Sequence, residues 1–211
     1  QSVEESAVAG RLDLRDKVVI TIDGASSKDL DDAVSLERDG LGRWVLGVHI
    51  ADVSHYVRPG SALDLEAWER GTSVYFADQV VPMLPRELSN GICSLNPRVD
   101  RLALSCVMTL TPEGEVVDHT IAKSVIRTTE RMTYEDCNAL LAHSDPALAE
   151  RYARILPMLE DMAALSRVLE GRRRRRGALE LDTRESYVVC DESGTPVDVV
   201  LRTPGISERH R

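Results

Sequence analysis

Val18-Val19-Ile20-Thr21-Ile22 is a β-branched run that opens directly into Asp23, and Asp29, Asp31 and Asp32 follow, placing four carboxylates within ten residues. Val, Ile and Thr favour a pleated, half-buried surface. Carboxylates a few ångströms apart repel one another unless a cation lies among them, so placing all four close together is costly. The expected arrangement is a strand whose end gives way to an acidic loop at the mouth of a sheet. Trp44 to Val53 predicts a second strand, and the Asp39-Gly40 and Gly42 turn signals predict a hairpin between it and Ala33 to Leu36.

The remaining pattern is mixed. Ala62 to Arg70 has helical spacing, with Gly71 as its stop. Leu102–Leu110 and Val116–Ile126 read as strands joined by the Pro112 to Gly114 turn. Thr133 caps a helix running to about His143, and the three-and-four recurrence of apolar residues from Pro146 to Arg176 predicts one long helix with a possible kink at Pro157. Leu179–Cys190 and Val197–Leu201 make a last hairpin. The expected fold is α+β, with a mixed, largely antiparallel sheet and packed helices forming one unit over residues 1–211, residues 1–16 being a lead-in.

With 211 residues, 43% hydrophobic and 29% charged, the composition is that of a globular protein, and no apolar stretch approaches the roughly 18 residues that would cross a bilayer. A soluble, cytoplasmic protein is expected. Cys93, Cys106, Cys137 and Cys190 are too scattered for a metal or redox pair and are expected as reduced thiols. The net charge of −9 argues against a general nucleic-acid coat, so any contact with nucleic acid must be local. Both ends read as cuts in a longer protein, because residue 1 is Gln and the chain stops in the charged string Ser207 to Arg211.

Hard oxygen donors suit Mg²⁺ or Mn²⁺, and an aspartate cluster of this kind can hold two ions roughly 3.5–4 Å apart, the spacing used in phosphodiester hydrolysis. A calcium-binding loop fails on spacing: counted from Asp23, Lys28 stands where the loop needs Gly and Val34 where it needs a bidentate Glu. His49, Asp52 and His55 do not share a strand face and are expected to serve structure near the centre. Arg172 to Arg176 is a five-arginine run at a helix end, read either as a solvated terminus or as a phosphate-holding patch.

Asp23 followed by Asp29-Leu30-Asp31-Asp32 resembles the aspartate signature of the ribonuclease II/ribonuclease R family (the RNB catalytic domain). The resemblance continues through Val48 to Val57, Arg70 to Tyr75, Pro82 to Pro85 with Leu88-Ser89, and Cys93 to Pro97. It extends to Asp100 to Ser105, Met132-Thr133-Tyr134 and Arg176 to Leu179, with details nearer bacterial ribonuclease R. It implies processive, Mg²⁺-dependent 3′-to-5′ hydrolysis of single-stranded RNA 3′ ends to nucleoside 5′-monophosphates. Asp23 and Asp32 would hold the better-defined ion, and Asp29 and Asp31 a second ion and water. Asp31 matches the aspartate whose loss stops cleavage most selectively, and Tyr75 matches a tyrosine that stacks on the 3′-terminal nucleotide. Where relatives carry an aromatic after the Arg-Gly, this chain has Ala178-Leu179-Glu180-Leu181, which predicts one-sided stacking. The resemblance also implies that this is the N-terminal part of the domain, monomeric in its full-length form, without the distal glutamate helix, the phosphate-holding arginine segment or the flanking cold-shock and S1 domains. A non-catalytic RNA-binding or interaction fragment that keeps the fold is the alternative.

Overall fold

The computed structural model describes residues 2–77, 79–179 and 185–202. Helix α1 (Glu5–Val8) leads to β1 (Leu12–Asp13), β2 (Ile20–Asp23), β3 (Asp32–Arg38) and β4 (Trp44–Ala51). After α2 (Val53–Tyr56) and α3 (Ala62–Arg70) comes a small hairpin of β5 (Val74–Tyr75) and β6 (Val80–Val81), then a wide helical turn, Glu87–Ile92. The long strands β7 (Asp100–Leu110) and β8 (Val116–Arg127) precede β9 (Glu130–Thr133), and α4 (Tyr134–Leu141), α5 (Pro146–Arg151) and α6 (Leu156–Arg175) follow. The strands β10 (Glu185–Cys190) and β11 (Pro196–Arg202) pair as a separate hairpin.

Seven strands form one sheet in the order β1-β8-β7-β4-β3-β2-β9, antiparallel except where β1 meets β8 and β2 meets β9. This is the α+β, largely antiparallel architecture expected from the sequence. Strand alternation divides the side chains between two cores. Ile20, Leu36, Trp44, Leu110 and Met132 lie on the face covered by α4, α5 and α6. Val19, Leu30, Ala33, Ala51, Cys93, Leu95, Ala103 and Ile126 fill the opposite side. Leu14 joins this second core and Leu12–Asp13 pairs with β8, so this part of the segment read as a lead-in is built into the sheet and its core.

Helix punctuation follows the local rules. Gly71 ends α3 at φ 71°, a left-handed turn in which a side chain would be strained, and the Thr133 hydroxyl accepts from Asp136 N–H at 3.1 Å. The single long helix expected over 146–176 is instead two, α5 and α6, separated at residues 152–155. Pro157 is the reason: it lacks the N–H that would bond Ala153 and disfavours helix at the residue before it, so it opens α6 rather than kinking a longer helix. Buried Tyr152 and Ile155 fill the break, which the apolar periodicity therefore spans without continuous helix.

Candidate active site

The acidic loop joins β2 to β3. Asp23 closes β2 and is buried, Asp32 opens β3, and Asp29 and Asp31 lie between them. Several contacts fix the loop backbone. Leu30 N–H donates to the Ser94 hydroxyl at 3.0 Å, and that hydroxyl donates to the Lys28 carbonyl at 2.9 Å. Leu95 N–H reaches the Leu30 carbonyl at 2.8 Å and Ala51 N–H the Asp31 carbonyl at 2.9 Å. Arg101, buried, donates its Nε to the Ser94 carbonyl at 2.9 Å. At the other end, Arg131 on β9 points one terminal nitrogen, Nη2, at the carbonyls of Gly24, Ala25 and Ser27, at 3.2, 2.8 and 2.9 Å.

The charge on the loop gathers around Asp31. Solvent reaches Asp31, yet the surrounding protein, and then the charges of Asp29 and Asp32, push its pKa above the usual carboxylate range. Tyr75, on β5 and 68% exposed, donates its hydroxyl to Asp29 Oδ2 at 3.5 Å. The Asp29 charge, burial and that hydrogen bond raise the tyrosine's pKa. The ring is therefore held at the loop with its faces open to solvent, not packed in a core.

Asp29, Asp31 and Asp32 are brought together by charge, with Asp29 and Asp32 both acting on Asp31. Asp32 lines a cavity of about 290 Å³ on the α6 face with Ile22, Val34 and Val48, whereas the charge of Asp31 is felt by Cys93 in the opposite core. Successive residues entering a strand point to opposite faces, which separates these neighbours. Among the described residues no three His, Cys, Asp or Glu side chains are gathered closely enough to hold a metal ion. The donor chemistry nevertheless suits a hard divalent cation, whose charge would relieve the repulsion recorded at Asp31.

Beside the loop, both ring nitrogens of His49 are taken by serine hydroxyls. Its Nδ1 lies 2.7 Å from the Ser105 hydroxyl and its Nε2 3.1 Å from that of Ser35, and Ser105 meets Ser124 at 2.5 Å. Ser124 donates on to the Ala103 carbonyl at 3.2 Å, so the chain of donors is consistent with a proton on Nδ1 and Ser35 donating to Nε2. Burial pushes the imidazole pKa down to about 4. A Cβ on Gly47 would collide with Ser35 Oγ and lie 2.8 Å from His49 Nε2, which explains the glycine there. Asp52 is occupied by the Arg11 guanidinium at 2.7 Å, and His55 Nδ1 lies 3.5 Å from the same group.

Comparison with known proteins decides the family: the RNB domain model matches residues 11–209. The chain belongs to the RNB domain family. Over 209 residues it is 53% identical to Ribonuclease R 1 of Lactococcus lactis, a match covering 99% of this chain and 26% of the relative. Over 208 residues it is 48% identical to Ribonuclease R of Thermotoga maritima, covering 98% and 29%. A solved structure of Mycoplasma genitalium RNase R in complex with ribose-methylated single-stranded RNA superposes with a TM-score of 0.91 at 30% identity, covering all of this chain and 33% of that one. The RNB chain thus spans between 26% and 33% of the length of these relatives.

Sequence reasoning singled out Asp23, Asp29, Asp31, Asp32 and Tyr75, and the fold brings the last four into one electrostatic neighbourhood at the end of the sheet. It passed over the groups that hold the RNB loop in place, Arg131 and Arg101 above all. Ser94 lies inside the matching Cys93 to Pro97 motif, which was its only local signal. Glu180 and Leu181, which bear on an opposing aromatic, lie outside the described residues.

Proposed function

We propose that this chain carries the aspartate centre of a 3′-to-5′ exoribonuclease that hydrolyses single-stranded RNA from its 3′ end to nucleoside 5′-monophosphates, with Mg²⁺, or Mn²⁺ in its place, as cofactor. The observation that carries the reading is the pinned acidic loop, in which the charges of Asp29 and Asp32 bear on Asp31 beside an exposed tyrosine. Asp23 and Asp32, at the facing ends of two strands, would anchor one ion, and Asp29 and Asp31 would complete the donor set. When bound, such an ion polarises a phosphate and lowers the pKa of a coordinated water. Asp31, the most solvent-open of the coupled carboxylates, presents acceptor oxygens to the attacking water. The Tyr75 ring offers a stacking face of roughly 1–3 kcal/mol to the terminal base. The Ser94 and Arg131 contacts keep these groups from shifting as the charge on the phosphate changes. A monomeric, cytoplasmic enzyme belongs to the same reading.

Asp31→Asn tests it. In the full-length enzyme, release of mononucleotides from a labelled oligoadenylate is expected to stop while RNA affinity stays within about threefold, because the lost charge acts in the transition state more than in the ground state. Equal loss of binding and turnover would contradict the assigned role. Wild-type RNA binding with no Mg²⁺- or Mn²⁺-dependent cleavage would favour the non-catalytic alternative.

A further inference from the structure

The last turn of α6 carries Arg172, Arg173, Arg174 and Arg175, and Arg176 caps it. A helix C-terminus is stabilised by cations near its orphan carbonyls, an effect confined to the last turn and weakened by solvent. Five arginines in succession exceed that need. Pairs three and four apart, such as Arg172 with Arg176 and Arg173 with Arg176, set like charges side by side on the helix surface, which is unfavourable. Two of the five are engaged: Arg172 with Glu115 at 3.5 Å and Arg174 with Glu170 at 2.8 Å. Arg173, Arg175 and Arg176 are exposed and form no ion pair among the described residues. A concentrated positive patch on a chain of net charge −9 costs stability and calls for an anionic partner.

Its position is fixed by the fold. Arg172 also donates to the Glu113 carbonyl, placing this end of α6 against the β7–β8 turn. That turn lies at the Arg38–Trp44–Leu110 end of the sheet, whereas the acidic loop lies at the Asp32–Ile50 end. Six residue steps separate Asp32 from Arg38, roughly 20 Å of strand. The patch is thus remote from the aspartates and outside the site described above.

We infer that Arg173, Arg175 and Arg176 form a second RNA-contact surface that grips phosphates upstream of a 3′ end held at the acidic loop. The inference rests on the reading that the chain acts on RNA. Arginine suits the role because its planar fork bonds phosphate in a bidentate manner at any sequence. Only an RNA long enough to span the sheet can use both places.

The test is fluorescence anisotropy in EDTA, which prevents cleavage, with a labelled tetranucleotide and an oligoadenylate of roughly twenty residues, across a salt series. In the triple variant Arg173→Gln, Arg175→Gln and Arg176→Gln, affinity for the long RNA should fall on the order of tenfold, and its log–log salt slope should flatten by about two, at roughly 0.7 per lost phosphate contact. Binding of the tetranucleotide should not change. The matching Arg→Lys triple variant should recover the salt slope and part of the affinity, which separates charge from any damage to α6. An unchanged slope, or equal weakening of both RNAs, would overturn the inference. So would displacement of the long RNA by polyglutamate of equal charge in the wild type but not in the triple variant, which would reassign the patch to an acidic protein segment. If wild-type protein bound neither RNA, the RNA reading itself would fall, and the patch assignment with it.

Discussion

Asp52 and Asp31 sit at the same end of the sheet, linked through β4, yet the protein treats them in opposite ways. Burial alone would raise the Asp52 carboxyl, but the Ser54 hydroxyl and the Arg11 guanidinium outweigh it and hold the pKa below the ordinary value. Its ion pair with Arg11 is almost fully enclosed, the two side chains being 7% and 3% exposed, and Lys123 stands 3.7 Å away. Asp31 instead faces Asp29 and Asp32, which add to burial in raising its pKa. One carboxylate has been neutralised for structure. The other is kept in an acidic field, with order supplied to its backbone instead, which is what the proposed cation-binding role requires of it.

The largest effect should separate the two directly. Arg11→Ala leaves Asp52 buried without its guanidinium, and breaking a buried pair costs about 3–5 kcal/mol. Asp31→Asn removes repulsion, so the unfolding midpoint should stay the same or rise. Urea denaturation of both variants decides this: a loss for Asp31→Asn comparable with that for Arg11→Ala would end the distinction.

His49 sharpens the contrast through pH. Its folded pKa of about 4 lies below the ordinary value of 6.5, so the unfolded chain takes up a proton that the native one refuses. The associated stability is complete above pH 6.5 and is lost as the pH falls towards 4. At about 1.4 kcal/mol per unit the loss amounts to roughly 3 kcal/mol across that window. In a variant that keeps a neutral polar group, His49→Gln, unfolding free energy should fall less steeply over the same range. An equally steep acid limb in wild type and variant would show that another group governs it.

Next in size are the loop supports. Ser94→Ala removes the acceptor of the Leu30 N–H and the donor to the Lys28 carbonyl, and leaving buried backbone groups unsatisfied costs about 1–3 kcal/mol. The effect should be local. Amide exchange at Leu30 should accelerate while that of the β7–β8 core stays unchanged, and uniform acceleration would mean that Ser94 supports the whole fold rather than the loop.

These supports mark where legibility in the sequence ends. The β3–β4 hairpin, α3 with its Gly71 stop and the Thr133 cap were legible because each rests on residues a few positions apart. The acidic loop stood out because clustered carboxylates carry their own electrostatic signature. β1 and β9 are two and four residues long, too short for a period, and take their form from the strands beside them. The break before α6 was hidden because Tyr152 and Ile155 keep the apolar rhythm while turning the chain inward. Arg131 reaches carbonyls more than a hundred residues away, a relationship that no local pattern encodes.

The smallest expected effect concerns Tyr75 and divides its two groups, the hydroxyl and the ring. The hydroxyl contact with Asp29, at 3.5 Å, is at the limit of hydrogen bonding and in solvent, so Tyr75→Phe should change stability by no more than a few tenths of a kcal/mol. The ring is 68% exposed, so Tyr75→Ala leaves little cavity and should also be tolerated by the fold. What the alanine variant loses is a stacking face of roughly 1–3 kcal/mol, which matters most when a short RNA has few other contacts. In the full-length enzyme, long RNA should be degraded at a nearly normal rate, and short products should dissociate earlier, so the limit product lengthens by about one nucleotide or more. Tyr75→Phe keeps the ring and should leave that length unchanged. Resolving the limit products of a labelled oligoadenylate on a gel distinguishes the two roles: lengthening in both variants would assign the effect to the hydroxyl and Asp29, and slowed cleavage of long RNA without lengthening would place Tyr75 in the chemistry instead of the grip on the 3′ end.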